Sequence, residues 1–147
     1  MSTAEVLRRL RLSLLVLSPL LFARTLLELS LVNHTDGAIQ WSAFVLAGIG
    51  LLVSLSVLAR RGPVTISLQR WCMFLVIVGS LFGIYQHVSN NIAFEREIQS
   101  NATWSHLMWK GLSGANPLLA PGTLAVAGLL SLAGTYKYWI TVDLETH

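Results

Sequence analysis

Residues 69–97 read QRWCMFLVIVGSLFGIYQHVSNNIAFERE. The first part, 69–88, is a run of 20 residues dominated by apolar side chains. That is about the 20 residues a helix needs to cross a hydrocarbon core roughly 30 Å thick. From residue 83 onward, GIYQHVSNNIAFERE, the segment turns abruptly polar. Read as a continuing helix, it places His87, Asn91 and Glu95 at i, i+4 and i+8, on one ridge. Asn90 stands beside that ridge, at i+3 from His87. The rest of the chain reads as holding this polar ledge in lipid or as delivering partners to it.

Of the 147 residues, 54% are apolar and only 12% charged, and the mean hydropathy is +0.63. A soluble domain carries roughly 25% charged residues. Four apolar runs account for the difference, at about 10–32, 41–59, 69–88 and 118–139. They predict an all-α fold, a four-helix transmembrane bundle forming a single membrane domain over residues 1–147. Too little chain remains outside the runs for a soluble catalytic domain.

The basic residues carry orientation. Arg8, Arg9, Arg11, Arg60, Arg61, Arg70 and Lys137 fall at one set of run ends, against Arg96 and Lys110 at the other. Because Lys and Arg accumulate on the cytoplasmic side of membrane proteins, both termini are expected to be cytoplasmic. The connections 33–40 and 89–117 then face outward. The net charge of +3 is explained this way without a nucleic-acid partner. A single cysteine, Cys72, allows no internal disulfide, which excludes the four-helix quinone-linked thiol oxidases, whose chemistry needs cysteine pairs.

Local signals fill in the outline. Ser2 and Glu5 have capping-box spacing, so a short helix is expected to lead into the first span. Three arginines before the apolar residues 12–22 imitate a signal peptide. No small-x-small site comes after them, and apolarity resumes after Arg24, so an uncleaved span is expected. Pro19 frees the carbonyl of Leu15 and should kink that helix. Small residues recur at Ala43, Ala47, Gly50 and Ser54, at Gly79 and Gly83, and at Thr123, Ala127, Ser131 and Thr135. Such ridges let membrane helices pack closely. Residues 103–117, TWSHLMWKGLSGANP, put Trp104, Leu107, Met108 and Gly111 on one helical face and His106 and Lys110 on the other. This predicts an interfacial helix in the outer connection between spans three and four.

Arg24 and Glu28 lie four apart inside the first apolar run. An isolated charge at the centre of a membrane helix costs on the order of 2.5–3.5 kcal/mol. Two readings stay open: a couple that snorkels outward, or a pair lining a polar cavity. The polar and charged residues Arg24, Glu28, His87, Asn90, Asn91, Glu95 and His106 all fall in the outer half and are the candidate ligand-binding or network residues. The preferred reading is an accessory or structural membrane protein whose outer ledge binds a partner subunit or a lipid, its surroundings being the bilayer and either another membrane protein or further copies of itself. A second reading is a metal or haem site drawn from His34, His87, His106 and Glu95, although no pair has the spacing of a known metal motif. A third is a transporter or intramembrane enzyme acting on a lipid or quinone through Arg24, Glu28, His87 and Glu95. No catalytic residue and no particular cofactor is assigned.

The polar stretch and the segment LMWKGLSGANPLLAPGTLAVAGLLSLAGTYKYW also carry a pattern: Gly83, Tyr85, His87, Asn91, Phe94, Glu95 and Glu97; then Trp109, Leu112, Gly114, Ala115, Pro117, Leu119, Ala120, Pro121 and Gly122; then Thr135, Tyr136 and Lys137. In these residues the chain resembles a family of uncharacterised small bacterial integral membrane proteins. The resemblance implies a bacterial inner membrane and no chemistry. In outline alone, by its four-span size, the chain is also similar to DoxX-like membrane proteins, an analogy of fold and not of function.

Overall fold

The computed structural model describes residues 2–33, 37–115 and 118–136. Among them are five helices and no strand: α1 (Thr3–Leu31), α2 (Ala38–Ala59), α3 (Pro63–Ile98), α4 (Trp104–Ser113) and α5 (Leu119–Gly134). Three of these, α1, α2 and α3, are long and apolar enough to cross a membrane. α5 is apolar but shorter. The last part of the expected fourth run, 137–139, and the metal candidate His34 lie outside the described residues.

Local chemistry sets the helix limits. Ser2 caps α1 by accepting a hydrogen bond from the Glu5 amide at 3.2 Å, and Glu5 in turn pairs with Arg9 at 2.6 Å. The expected leading helix is therefore the first turns of α1 itself. Pro19 lies buried within the same helix. α3 opens on Gly62-Pro63, with proline where its missing N–H costs nothing. It continues for 36 residues, about 54 Å at about 1.5 Å per residue. The polar stretch 83–97 is thus the far part of one unbroken helix.

α1, α2, α3 and α5 pack as a bundle. α1 meets α2 and α5, α3 meets α2 and α5, and α2 touches α5 across the middle, so α1 and α3 stand at opposite corners. α4 packs against α3. The centre holds Phe22, Ala47, Met73, Val76, Leu124 and Ala127. Small residues permit these approaches. A Cβ on Gly50 would come within 2.5 Å of the Phe22 ring, so this glycine makes room for the largest fully buried side chain.

The distribution of polarity is the inverse of a water-soluble bundle. Ser18, Thr25, Ser54, Gln69, Ser131 and Thr135 are fully buried, whereas Leu20, Leu27, Leu52, Leu75, Leu81 and Leu129 are each at least half exposed. Apolar surface outside and hydrogen-bonded polar groups inside is how helices associate in lipid, where apolar burial gives no driving force.

The two ends of the bundle differ. At one, Arg70 donates from Nη2 to the Thr135 carbonyl at 2.6 Å, tying the start of α3 to the end of α5. The arginines at 8, 9, 11, 60 and 61 belong to this arginine-rich end. The opposite, loop end holds the end of α1, the start of α2, the end of α3 and the start of α5, with α4 beside them.

Candidate functional site

Two polar sites lie toward the loop end. The first is an open cavity of about 350 Å³ lined from all four helices of the bundle, α1, α2, α3 and α5. α1 contributes Glu28 and Leu29, and α2 Gln40, Ser42 and Leu46. α3 contributes Ser80, Phe82, Gln86, His87 and Asn90, and α5 Pro121 and Leu124. Gly79 and Gly83 line the α3 wall, where the missing side chains admit Leu46 of α2 and Pro121 of α5. The result is an apolar trough with polar groups on its rim, of a size suited to a small ligand, since ligand sites run from about 300 Å³ upward.

Among the described residues, Glu28 is its only carboxylate, and no lysine or arginine is in the lining. The Glu28 side chain is one-quarter exposed, but Oε2 is sealed from solvent and accepts no hydrogen bond. The nearest cation is Arg24, with Nη2 3.6 Å from that oxygen. Arg24 itself is half exposed and does not line the cavity. Residues four apart on a helix differ by about 40° of rotation. That offset divides the couple, with one member in the cavity and the other on the outside of the bundle.

The second site joins α3 to α4. Asn91 Nδ2 donates to the Gly111 carbonyl at 3.1 Å, and Glu95 Oε1 shares a hydrogen bond with His106 Nε2 at 2.8 Å. Asn91 and Glu95 are buried, at 3% and 9% exposure, although both sit far along a helix that began apolar. The close contact depends on Gly111, whose Cβ would press on Ile92 at 3.0 Å and Val88 at 3.2 Å. The ridge of His87, Asn91 and Glu95 is therefore shared: His87 serves the cavity, the other two hold α4. Trp104, expected on the same face as Leu107, is instead exposed, with the Arg96 guanidinium 5.7 Å from its ring centroid. Leu107 and Gly111 form the buried face of α4.

Of the sequence candidates, Glu28, His87 and Asn90 meet in the cavity. Asn91, Glu95 and His106 meet under α4, and Arg24 stands behind Glu28. Among the described residues, no three of His, Cys, Asp and Glu come together as a metal centre requires. His87 and the Glu95–His106 pair belong to different sites.

A third polar site, toward the arginine-rich end, escaped sequence reading. Ser18 on α1 donates to the Ala127 carbonyl at 3.0 Å and lies 3.4 Å from Ser54 on α2. Ser54 lies 3.4 Å from Ser131 on α5. Gln69 on α3 donates from Nε2 to the Ser131 hydroxyl and to its carbonyl, the latter at 3.3 Å. One residue from each of α1, α2, α3 and α5 thus joins a single layer. Gln69 Oε1 is buried in it without a donor. Ser54 and Ser131 read as small packing residues and Gln69 as the start of an apolar run. The signal in the sequence was a glutamine within a membrane segment, which must find a partner there.

No protein-family model matches the chain, and neither a curated protein nor a solved structure matches it. Fold and sites together define a helical membrane protein with a polar-rimmed cavity at one end.

Proposed function

We propose that the chain is a four-span protein of a bacterial inner membrane, with both termini cytoplasmic, that binds a small amphiphile in the cavity at its outward-facing end. Its role is that of an accessory binding protein and not of a catalyst. α5 is the fourth span, and α4 is an interfacial helix, its exposed Trp104, Trp109 and Leu112 meeting the headgroup region. The observation that carries the reading is the cavity: apolar walls from Leu46, Phe82 and Leu124 below Glu28, Gln86, His87 and Asn90. Such a surface matches a molecule with one polar end and one apolar end. A partner subunit would be met by a flat or protruding polar face, whereas these groups line a concavity. A transporter or enzyme working jointly through Arg24, Glu28, His87 and Glu95 would need all four in one space. Arg24 stands outside the lining and Glu95 is engaged with His106.

Native mass spectrometry of gently purified protein tests the proposal beside Ala120→Phe, which places a ring in the cavity wall. Wild type is expected to retain a small amphiphile that the variant, with the same helical content, loses. Equal retention by both, or none by wild type even after amphiphile is added, overturns it.

A further inference from the structure

Resting on that cavity reading, we infer that the cavity selects an organic ammonium head carrying a short apolar stem, with Glu28 as its counter-charge. Among the described residues, the lining holds one carboxyl side chain, Glu28, beside the His87 imidazole, and neither lysine nor arginine. A low-dielectric pocket with a single carboxylate attracts a cation and rejects an anion, because neither interaction is screened as it is in water. Arg24 would be the natural partner for an anionic head, yet its side chain is half exposed and does not line the cavity. At 3.6 Å, and with no hydrogen bond to it, Arg24 leaves the carboxylate incompletely answered. The amide-bearing side chains of Gln86 and Asn90 supply acceptors for the remaining ammonium protons. Below them, Leu46 and Leu124 form the bed for the stem. The volume of about 350 Å³ lies at the small end for ligand sites, which favours a single stem over a two-chain lipid wholly enclosed.

The same head chemistry occurs on a free amine and on an ethanolamine lipid, and one experiment separates them. The full chain is placed in phosphatidylcholine nanodiscs, and binding of hexylammonium, hexanol and hexanoate is measured by equilibrium dialysis against empty discs. At about pH 8 the amine is charged and an ordinary imidazole is neutral. Hexylammonium is expected to bind most tightly and hexanoate least. Glu28→Gln should weaken hexylammonium roughly tenfold or more while leaving hexanol unchanged. Arg24→Gln should tighten hexylammonium roughly threefold by removing the competing cation, and it carries the test if Glu28→Gln does not fold. Hexanoate binding as well as hexylammonium, or Arg24→Gln weakening the amine, overturns the inference and leaves the cavity standing. Failure of all three probes to bind overturns the cavity reading itself. Weaker hexylammonium binding in discs containing phosphatidylethanolamine would identify the lipid headgroup as the source, and unchanged binding a free amine; each outcome supports the ammonium chemistry.

Discussion

Glu95 Oε1 and His106 Nε2 stand 2.8 Å apart, joining the last turns of α3 to α4 across a connection of only a few residues. With Asn91 on Gly111, this contact is what fixes α4 to the bundle. His106→Ala should therefore free α4 locally at a cost of about 1 kcal/mol, the pair being partly exposed. Hydrogen exchange at residues 104–113 should rise while the remaining helices keep their protection. Uniform loss of protection across the bundle would refute the local role.

Gly50 faces the buried Phe22 ring at a distance that leaves no space for a methyl group. Gly50→Ala is expected to destabilise the bundle by roughly 1–3 kcal/mol through overpacking. Thermal unfolding in detergent measures the loss. Phe22→Leu in the same chain should recover part of it, because the smaller side chain yields the volume the methyl requires.

The Ser18–Ser54–Ser131–Gln69 layer is a coupled unit. Ser131→Ala removes the hydroxyl that Gln69 and Ser54 share and should cost about 1–3 kcal/mol, since it leaves buried polar groups unanswered. Adding Gln69→Leu removes the amide together with its donorless Oε1 and should bring stability back toward wild type. A double-mutant cycle in denaturant checks this; strict additivity would mean the layer is not coupled.

Orientation is tested with single cysteines in a Cys72→Ser background. Ser100→Cys should react with an impermeant maleimide added to intact cells, and Arg61→Cys only after permeabilisation. The opposite pattern would invert the proposed topology.

Much of the fold was legible because long apolar runs constrain length directly. The runs at 10–32, 41–59 and 69–88 fall on or within a residue of α1, α2 and α3, and the capping box at Ser2 and the continuation of α3 through Glu95 rest on local chemistry. The site was legible only in part. Residue spacing places Arg24 and Glu28 on one side of α1, but the roughly 40° between them decides which reaches the cavity. That depends on how α1 is rotated against α2 and α5. The serine–glutamine layer was invisible for a related reason: a serine in an apolar helix has the same local pattern whether it packs or donates, and its partners are set by helices distant in sequence. Trp104 lies off the buried face because Leu107 and Gly111 are the residues of α4 that pack on α3, and its ring meets the Arg96 guanidinium instead.

The long α3 enters all three polar sites: Gln69 reaches α5, His87 the cavity, and Asn91 and Glu95 reach α4. A continuous helix resists torsion, so turning it at one end turns it at the other. Any rotation large enough to move His87 away from the cavity would pull Gln69 off Ser131 and Asn91 off Gly111 together. The helix works as a shaft pinned on either side of the cavity, and the phase of the cavity wall is set by hydrogen bonds that the wall itself does not make.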